Sequence, residues 1–255
     1  MGAFRDSWRD EFLAALTFLT RLPLGGTRAN APLPSLADTA WAFPLVGLVI
    51  GAIGGVAYAI AFAIGLPPLA AALIAVAATA LVSGALHEDG LADTVDGFGG
   101  GATREGKLEI MRDSRIGTFG VIALVVSIGL RTVAIANTGT GWHAFLALIA
   151  AHALARGVLP AALHKLDPAR ADGLGAGAGR PEQNQTLIAL ALALVIGVIA
   201  LGFRGGLSAA TVAALVATAI GWLAQHQIGG QTGDVLGAIE QGAETAALLA
   251  ASVWI

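Results

Sequence analysis

The sequence predicts an all-α protein, a polytopic helical bundle that crosses a membrane about six or seven times. Of its 255 residues, 56% are hydrophobic and only 12% are charged, whereas a soluble domain carries roughly 25% charged residues. Charged residues are absent from three stretches, 39–87, 183–203 and 205–233. Each stretch is as long as the roughly 20 apolar residues that carry a helix across a bilayer. A soluble protein would expose these stretches as large apolar patches and aggregate.

Six apolar segments are predicted to span the membrane, and a seventh is weaker. The six lie at about 41–65, 69–86, 117–137, 142–163, 187–203 and 207–225. The stretch 235–255 is the seventh candidate, but Glu240 and Glu244 interrupt it. Near the start, the segment 12–24 is apolar but short and contains an arginine and a proline, which is typical of an interfacial or re-entrant helix.

The distribution of basic residues predicts the orientation of a single membrane domain, 1–255. Eleven of the 14 lysines and arginines lie in three segments on one predicted side: the interfacial segment 1–38, the acidic segment 87–116 and the Gly-rich loop 164–186. The positive-inside rule places these segments, and with them the active site, in the cytoplasm. No internal repeat is evident, so the inverted-repeat pattern of many transporters is missing.

Composition excludes several other kinds of site and favours close helix packing. Cysteine is absent, which excludes disulfides, thiolate metal sites and cysteine nucleophiles. A net charge of −3 is too small to indicate nucleic-acid binding. Glycine is abundant, and Gly47, Gly51 and Gly55 have the small-xxx-small spacing that lets helices in lipid approach closely.

The segment 87–116 carries the strongest candidate for chemistry. On a helix with 3.6 residues per turn, Asp89, Asp93 and Asp96 share an arc of about 60°. Like charges at this spacing destabilise a helix, so a hard divalent cation is expected to offset their repulsion. Carboxylates without cysteine or clustered histidine suit Mg²⁺ or Mn²⁺. A solvated loop that merely fixes topology is the alternative, but such a loop needs no common face.

Basic residues follow the acidic stripe. Arg112 and Arg115 flank a fourth acid, Asp113, and arginine forks beside a carboxylate–metal cluster suit a phosphate or diphosphate. Gly97 is expected to end the acidic helix and let the backbone approach a ligand. The glycines at 117–120 should begin the next span with an anion-attracting helix N-terminus. Ordinary surface pairs are expected of Arg104, Glu105, Lys107 and Glu109.

Three further groups keep a functional and a structural interpretation open. Gln231, Thr232 and Asp234 precede the last helix in a Gly-rich turn, either as ligand-binding groups or with Asp234 as the helix N-cap. The glycine loop 172–180 follows no strand, so its likeness to a nucleotide-binding loop fails; a flexible loop is expected, although Arg180 could reach a phosphate. His152 and Arg156 lie inside the fourth span, where they either have a functional role or form a structural hydrogen bond between helices.

These motifs together resemble the cobalamin synthase family of adenosylcobinamide-GDP ribazoletransferases. The blocks that carry the resemblance are His87-x-Asp89-Gly90-Leu91-Ala92-Asp93-Thr94-x-Asp96-Gly97 and the segment 108–118. Further blocks lie at 18–23, 43–47 and 229–240. The resemblance covers nearly the whole chain.

The resemblance implies a multi-pass enzyme of the bacterial inner membrane that completes the cobalamin nucleotide loop. It would transfer adenosylcobinamide phosphate from adenosylcobinamide-GDP to α-ribazole or its 5′-phosphate and release GMP. The lipid bilayer would be its surroundings, and a homo-oligomer or association with other pathway enzymes stays open. The expected metal ligands for Mg²⁺ or Mn²⁺ are Asp89, Asp93 and Asp96. The candidate general base is Asp113, then Asp96, then His87. The expected substrate-binding residues are Gly97, Arg112, Arg115, Arg180, Gln231, Thr232 and Asp234.

Two other functions stay open at this point. One is another membrane phosphotransferase, since the acidic motif also resembles that of D-x-x-D-G alcohol phosphotransferases, an analogy between sites and not between folds. The other is a divalent-cation or corrinoid transporter. A cation pathway should place acids near the middle of the membrane, whereas the acidic stripe lies at the end of a charge-free run of 49 residues.

Overall fold

A computed structural model of the chain describes residues 2–23 and 34–255. Met1 and 24–33 lie outside the described residues, and with them parts of the predicted segments 1–38 and 12–24. The described residues form twelve α-helices and no strand, which confirms the all-α class. The helices are α1 (Gly2–Leu19), α2 (Leu36–Thr39), α3 (Phe43–Ala63), α4 (Pro68–Ser83), α5 (Leu86–Gly100), α6 (Arg104–Ile110), α7 (Thr118–Ala136), α8 (Gly141–Gly157), α9 (Leu159–Lys165), α10 (Leu174–Gly177), α11 (Gln183–Ile228) and α12 (Gly233–Ala251).

Fewer helical segments qualify as membrane spans than the six or seven predicted. Four described segments are long and apolar enough: Leu36–Ala63, Thr118–Ala136, Gly141–Lys165 and Gln183–Ile228. The pair α4 and α5 makes a fifth if it counts as one span, but its two helices are bent by 92°. The predicted second span therefore ends at Ser83, and the acidic segment forms a helix of its own. The larger span count stays a prediction.

The helix α11 contains the fifth and sixth predicted apolar segments within its 46 residues. Gly202 interrupts it with a φ of 72° and a ψ of 171°, a backbone conformation that glycine adopts without a steric penalty. A Cβ added at Gly206 would lie 2.6 Å from the Cα of Val198, although eight residues of straight helix extend about 12 Å. The chain therefore reverses at Gly202, and the turn around Gly206 packs against the backbone of Gly197 and Val198.

Small residues bring α3 and α8 into backbone contact, as their spacing predicts. A Cβ at Gly47 would meet the backbone of His152, and one at Gly51 would meet the backbone of Leu148. Gly55 packs in the same way against Phe145. Because apolar side chains are equally well solvated by lipid, such close packing, and not burial from water, is what favours helix association in a membrane.

A buried network of charged side chains joins α5, α7, α8 and α12. Arg131 of α7 lies 2.9 Å from Glu244 of α12 and 3.2 Å from Glu88 of α5. His152 and Arg156 of α8 lie 2.9 Å from Glu244 and 2.5 Å from Glu240, respectively. Breaking such a buried pair costs about 3–5 kcal/mol, so the acids that interrupt the last apolar segment are its attachment to the bundle.

Candidate active site

The acidic helix crosses α12 at a point where both helices carry glycine. A Cβ added at Gly90 of α5 would lie 2.8 Å from the carbonyl oxygen of Asp234, and one at Gly237 of α12 would lie 3.0 Å from that of His87. No side chain larger than hydrogen fits between the two backbones. The crossing therefore brings the first turn of α12, with Asp234, directly onto the helix that carries Asp89 and Asp93.

Three carboxylates lie near enough to one another at this crossing to interact electrostatically. Asp89 and Asp234 act on Asp93 by electrostatic repulsion, with a smaller contribution from Asp96, and Asp89 also repels Asp234. Burial raises the pKa of Asp234 above its usual range, although Arg170 and a hydrogen bond from Thr232 oppose this rise. We name Asp89, Asp93 and Asp234 the acidic triad.

Asp96, the third predicted metal ligand, has another partner. Its two carboxylate oxygens accept hydrogen bonds from the backbone N–H groups of Gly117 and Gly120, at 2.7 and 2.8 Å. The N-terminus of α7 thus binds an anionic group, as predicted, but this group is the carboxylate of Asp96. This geometry anchors α7 to α5 and occupies one acceptor position on each oxygen of Asp96.

The acidic triad provides the oxygen donors that Mg²⁺ prefers. Mg²⁺ is usually held by one or two carboxylates together with waters and phosphate oxygens, so it does not require a closed protein cage. Among the described residues, one group of three acids and histidines has its potential metal-ligand atoms within 4.8 Å of one another, and it consists of His152, Glu240 and Glu244. Arg131 and Arg156 already neutralise that group. The residues at the triad fit a magnesium ion shared with a phosphorylated substrate.

The predicted phosphate-binding arginines lie in exposed ion pairs. Arg112 donates two hydrogen bonds to Asp172, at 2.6 and 2.8 Å. Arg115 pairs with Asp113, and Arg180 with Asp167. The hydrogen bonds from Arg115 hold the pKa of Asp113 below its usual range, which weakens it as a proton acceptor. In this structure the carboxylates that face these three arginines are not those of the triad.

Among the described residues, Arg170 is a basic residue that contacts the triad, and no sequence pattern indicated it. Its Nη2 lies 3.4 Å from Oδ2 of Asp234, and its charge also acts on Asp93. Nη1 of Arg170 is buried without a hydrogen-bond partner. The only signal in the sequence was a positive charge on the predicted cytoplasmic side, in a loop without a motif.

The turn before α12 is a structural junction. Thr232 is the N-cap of α12, since its hydroxyl accepts a hydrogen bond from the backbone N–H of Val235; the alternative in which Asp234 caps the helix is wrong. The backbone of Gln231 pairs with Asp167 and Ala169, and its side chain donates to the carbonyl oxygen of Gly175. The Gly-rich loop is thereby held against the turn beside the triad.

Two other predicted site residues of α5, Gly97 and His87, have contacts outside the triad. Gly97 faces α6, where a Cβ would meet Met111, and the helix continues past it to Gly100. His87 is buried, with its Nδ1 at 3.5 Å from Glu240. His87 also lines an apolar cavity together with residues of α1, α3, α9 and α12: Phe18, Leu19, Phe43, Leu159, Leu163 and Leu236.

Two residues expected in surface pairs instead join elements behind the site. Arg104 keeps an exposed pair with Glu105 but also donates a 2.8 Å hydrogen bond from Nε to the carbonyl oxygen of Ile228, the last residue of α11. Lys107 donates to the side chain of Gln227. Cations at a helix C-terminus satisfy its free carbonyls and complement its dipole, so α6 is fixed to the end of α11.

Comparison with known proteins finds a family and close relatives. The family model for cobalamin-5-phosphate synthase matches residues 11–252. An adenosylcobinamide-GDP ribazoletransferase of Bradyrhizobium diazoefficiens is 49% identical over 94% of this chain and 92% of its own. Enzymes with the same name from Mesorhizobium japonicum and Brucella canis are 46% and 44% identical, each over 96% of this chain and over 93% and 97% of their own. No solved structure matches.

Proposed function

We propose that this chain, which belongs to the cobalamin-5-phosphate synthase family, is an adenosylcobinamide-GDP ribazoletransferase. The reaction transfers adenosylcobinamide phosphate from adenosylcobinamide-GDP to α-ribazole or its 5′-phosphate. The products are adenosylcobalamin, or its 5′-phosphate, and GMP. This is the final assembly step of the cobalamin nucleotide loop.

The observation that carries the proposal is the meeting of the acidic triad with Arg170 at the crossing of α5 and α12. A diphosphate bears several negative charges, so a site for it needs cations on both sides. Asp89, Asp93 and Asp234 would hold Mg²⁺, which when bound neutralises diphosphate charge and favours departure of the leaving phosphate. Mn²⁺ satisfies the same donors.

The transfer needs a nucleophile, a leaving group and a proton acceptor. The 3′-hydroxyl oxygen of α-ribazole attacks the phosphorus on the cobinamide side, and a new P–O bond forms as the bond to the bridging oxygen breaks. GMP leaves with that oxygen and its electron pair. Of the three candidate bases, Asp113 is bound to Arg115 and Asp96 to α7. We therefore assign acceptance of the hydroxyl proton to the remaining candidate, His87, which lies near the start of α5 and lines an apolar cavity with residues of α12.

We also propose where the active site lies in the cell. Eleven of the 14 lysines and arginines lie in the segments 1–38, 87–116 and 164–186, which include α6 and two of the three triad residues, and this supports a cytoplasmic active site in the bacterial inner membrane. The acids buried inside the bundle, Glu88, Glu240 and Glu244, are paired with arginines. Such neutralised acids do not form a cation pathway, and this favours a transferase over a transporter.

The test is GMP release by purified enzyme supplied with adenosylcobinamide-GDP, α-ribazole and Mg²⁺. We expect release that needs all three components and stops when EDTA removes the metal. A parallel reaction with lipid alcohols in place of α-ribazole separates this activity from phospholipid synthesis. A well-folded enzyme that releases no GMP with α-ribazole, or releases it only with a lipid alcohol, would overturn the proposal.

A further inference from the structure

Arg170 is held beside the acidic triad by the backbone on both of its sides. The loop 166–173 pairs with the turn before α12, where Ala169 N–H donates to Gln231 and Gln231 N–H donates to Asp167, each at 2.8 Å. The side chain of Arg104 also binds the carbonyl oxygen of Ala169. Arg170 therefore projects from a fixed segment, and its side chain is only 16% exposed.

The guanidinium of Arg170 is incompletely used by the protein. Its closest carboxylate contacts are Asp234 at 3.4 Å from Nη2 and Asp172 at 3.8 Å from Nε. Both are longer than the 2.7–2.9 Å of a well-formed charge-assisted hydrogen bond. Nη1 is buried and has no hydrogen-bond partner, and a buried donor without a partner costs about 1–3 kcal/mol. A cation in this condition is available to an anionic ligand.

We propose that Arg170 binds the diphosphate of the nucleotide donor, an inference that rests on the proposed function. An arginine presents several N–H donors in a rigid fork that matches two phosphate oxygens. The other candidate arginines in this part of the site, Arg112, Arg115 and Arg180, already have short contacts to exposed aspartates. Arg170 stays charged throughout the transfer and donates hydrogen bonds without giving up a proton.

This assignment gives the two substrates separate binding groups. Arg170 contacts the donor's phosphates from the α12 side of the triad. The acceptor's hydroxyl approaches from the side of His87, which lies one helical turn before Gly90 on α5. Removing the guanidinium should therefore weaken the donor's binding and leave the acceptor's binding intact, which a general loss of structure would not do.

The kinetic test compares Arg170→Gln and Arg170→Lys with the wild-type enzyme. Arg204→Gln is the matched control, because Arg204 is an exposed arginine in the turn of α11 after Gly202. We expect Arg170→Gln to raise the KM for adenosylcobinamide-GDP at least about tenfold, as for loss of a charged hydrogen bond, with the KM for α-ribazole changed less than about twofold. Arg170→Lys keeps the charge without the fork, so its KM for adenosylcobinamide-GDP should lie between those of the wild type and Arg170→Gln.

A binding measurement makes the result independent of turnover. Calorimetric titration with GDP, a nucleoside diphosphate, should show at least about tenfold weaker binding to Arg170→Gln and unchanged binding to Arg204→Gln. If Arg170→Gln does not fold, Arg170→Lys serves in both measurements. Wild-type enzyme that releases no GMP refutes the proposed function. If the wild-type enzyme is active, two results refute the role of Arg170 alone. In one, the Arg170 variants keep the wild-type KM for adenosylcobinamide-GDP and the wild-type affinity for GDP. In the other, the KM values for adenosylcobinamide-GDP and for α-ribazole rise together.

Discussion

Individual carboxylates of the acidic helix have different partners, so substitutions can separate their roles. Asp93 faces other acids, Asp89 and Asp234, in an arrangement that a bound cation would stabilise. Asp96 is one turn further along the helix and accepts hydrogen bonds from two backbone amides of α7. The residues have the same chemistry, but one is suited to metal binding and the other to fixing a helix.

Replacement of Asp96 should therefore act on stability. Asp96→Ala leaves the N–H groups of Gly117 and Gly120 without their acceptor, at a cost of about 1–3 kcal/mol for each buried group. We expect the free energy of unfolding to fall by about 2–6 kcal/mol, measured by thermal unfolding in detergent. Glu109→Gln, on the exposed side of α6, is the control. Equal unfolding temperatures for Asp96→Ala and the wild type would contradict the anchoring role.

Among individual residues of the site, the sequence predicts which side chains share one face of the same helix. The stripe of Asp89 and Asp93 follows from helical geometry alone. Asp234 was found as a candidate without its partners, and Arg170 was missed, because their contacts join segments that are distant in the chain. Hydrogen-bond partners decided the remaining cases: Arg112, Arg115 and Arg180 have the charge for phosphate binding but lie opposite Asp172, Asp113 and Asp167.

Among the elements, the crossing of α5 and α12 assembles the site. Glycines at Gly90 and Gly237 allow the two backbones to touch, and the buried pairs of Glu240 and Glu244 with α7 and α8 keep α12 in its register. The sequence predicted both helices, but it did not predict this contact, since hydropathy describes each helix against the membrane and not against another helix.

Separation of the two helices should abolish catalysis. Gly237→Val places a branched side chain against the backbone of α5, and we expect GMP release to fall at least about 100-fold, as for displacement of catalytic groups by about 1 Å. Gly129→Val is the control, because a Cβ at Gly129 of α7 meets nothing within 4 Å. Circular dichroism should show helical content retained in both variants. An active Gly237→Val enzyme would show that the site does not depend on this crossing.

Across the whole molecule, the distribution of basic residues predicts the orientation of the bundle in the membrane. Apolar length predicted where helices run, and the structure contains helices at each predicted span. Apolar length did not give the number of membrane crossings. It does not show that the chain bends by 92° between α4 and α5 or that it reverses at Gly202. The side that carries α6 and the triad is the side predicted to face the cytoplasm.

The chain contains no cysteine, so single cysteines can report this orientation. Glu105→Cys lies on α6, and Asn137→Cys lies in the exposed turn between α7 and α8. A membrane-impermeant maleimide should label Asn137→Cys in intact spheroplasts and Glu105→Cys only in inverted membrane vesicles. The reverse pattern would place the acidic helix on the outer side of the membrane.

The claim tested most sharply by metal dependence is that α5 and α12 contribute to one site. The most direct measurement is the Mg²⁺ dependence of GMP release in Asp234→Asn, with Glu109→Gln as the matched control. We expect Asp234→Asn to need at least about tenfold more Mg²⁺ for half-maximal release, the change that corresponds to about 1.4 kcal/mol of lost binding, whereas the control follows the wild-type curve. A wild-type Mg²⁺ curve in Asp234→Asn would contradict the claim.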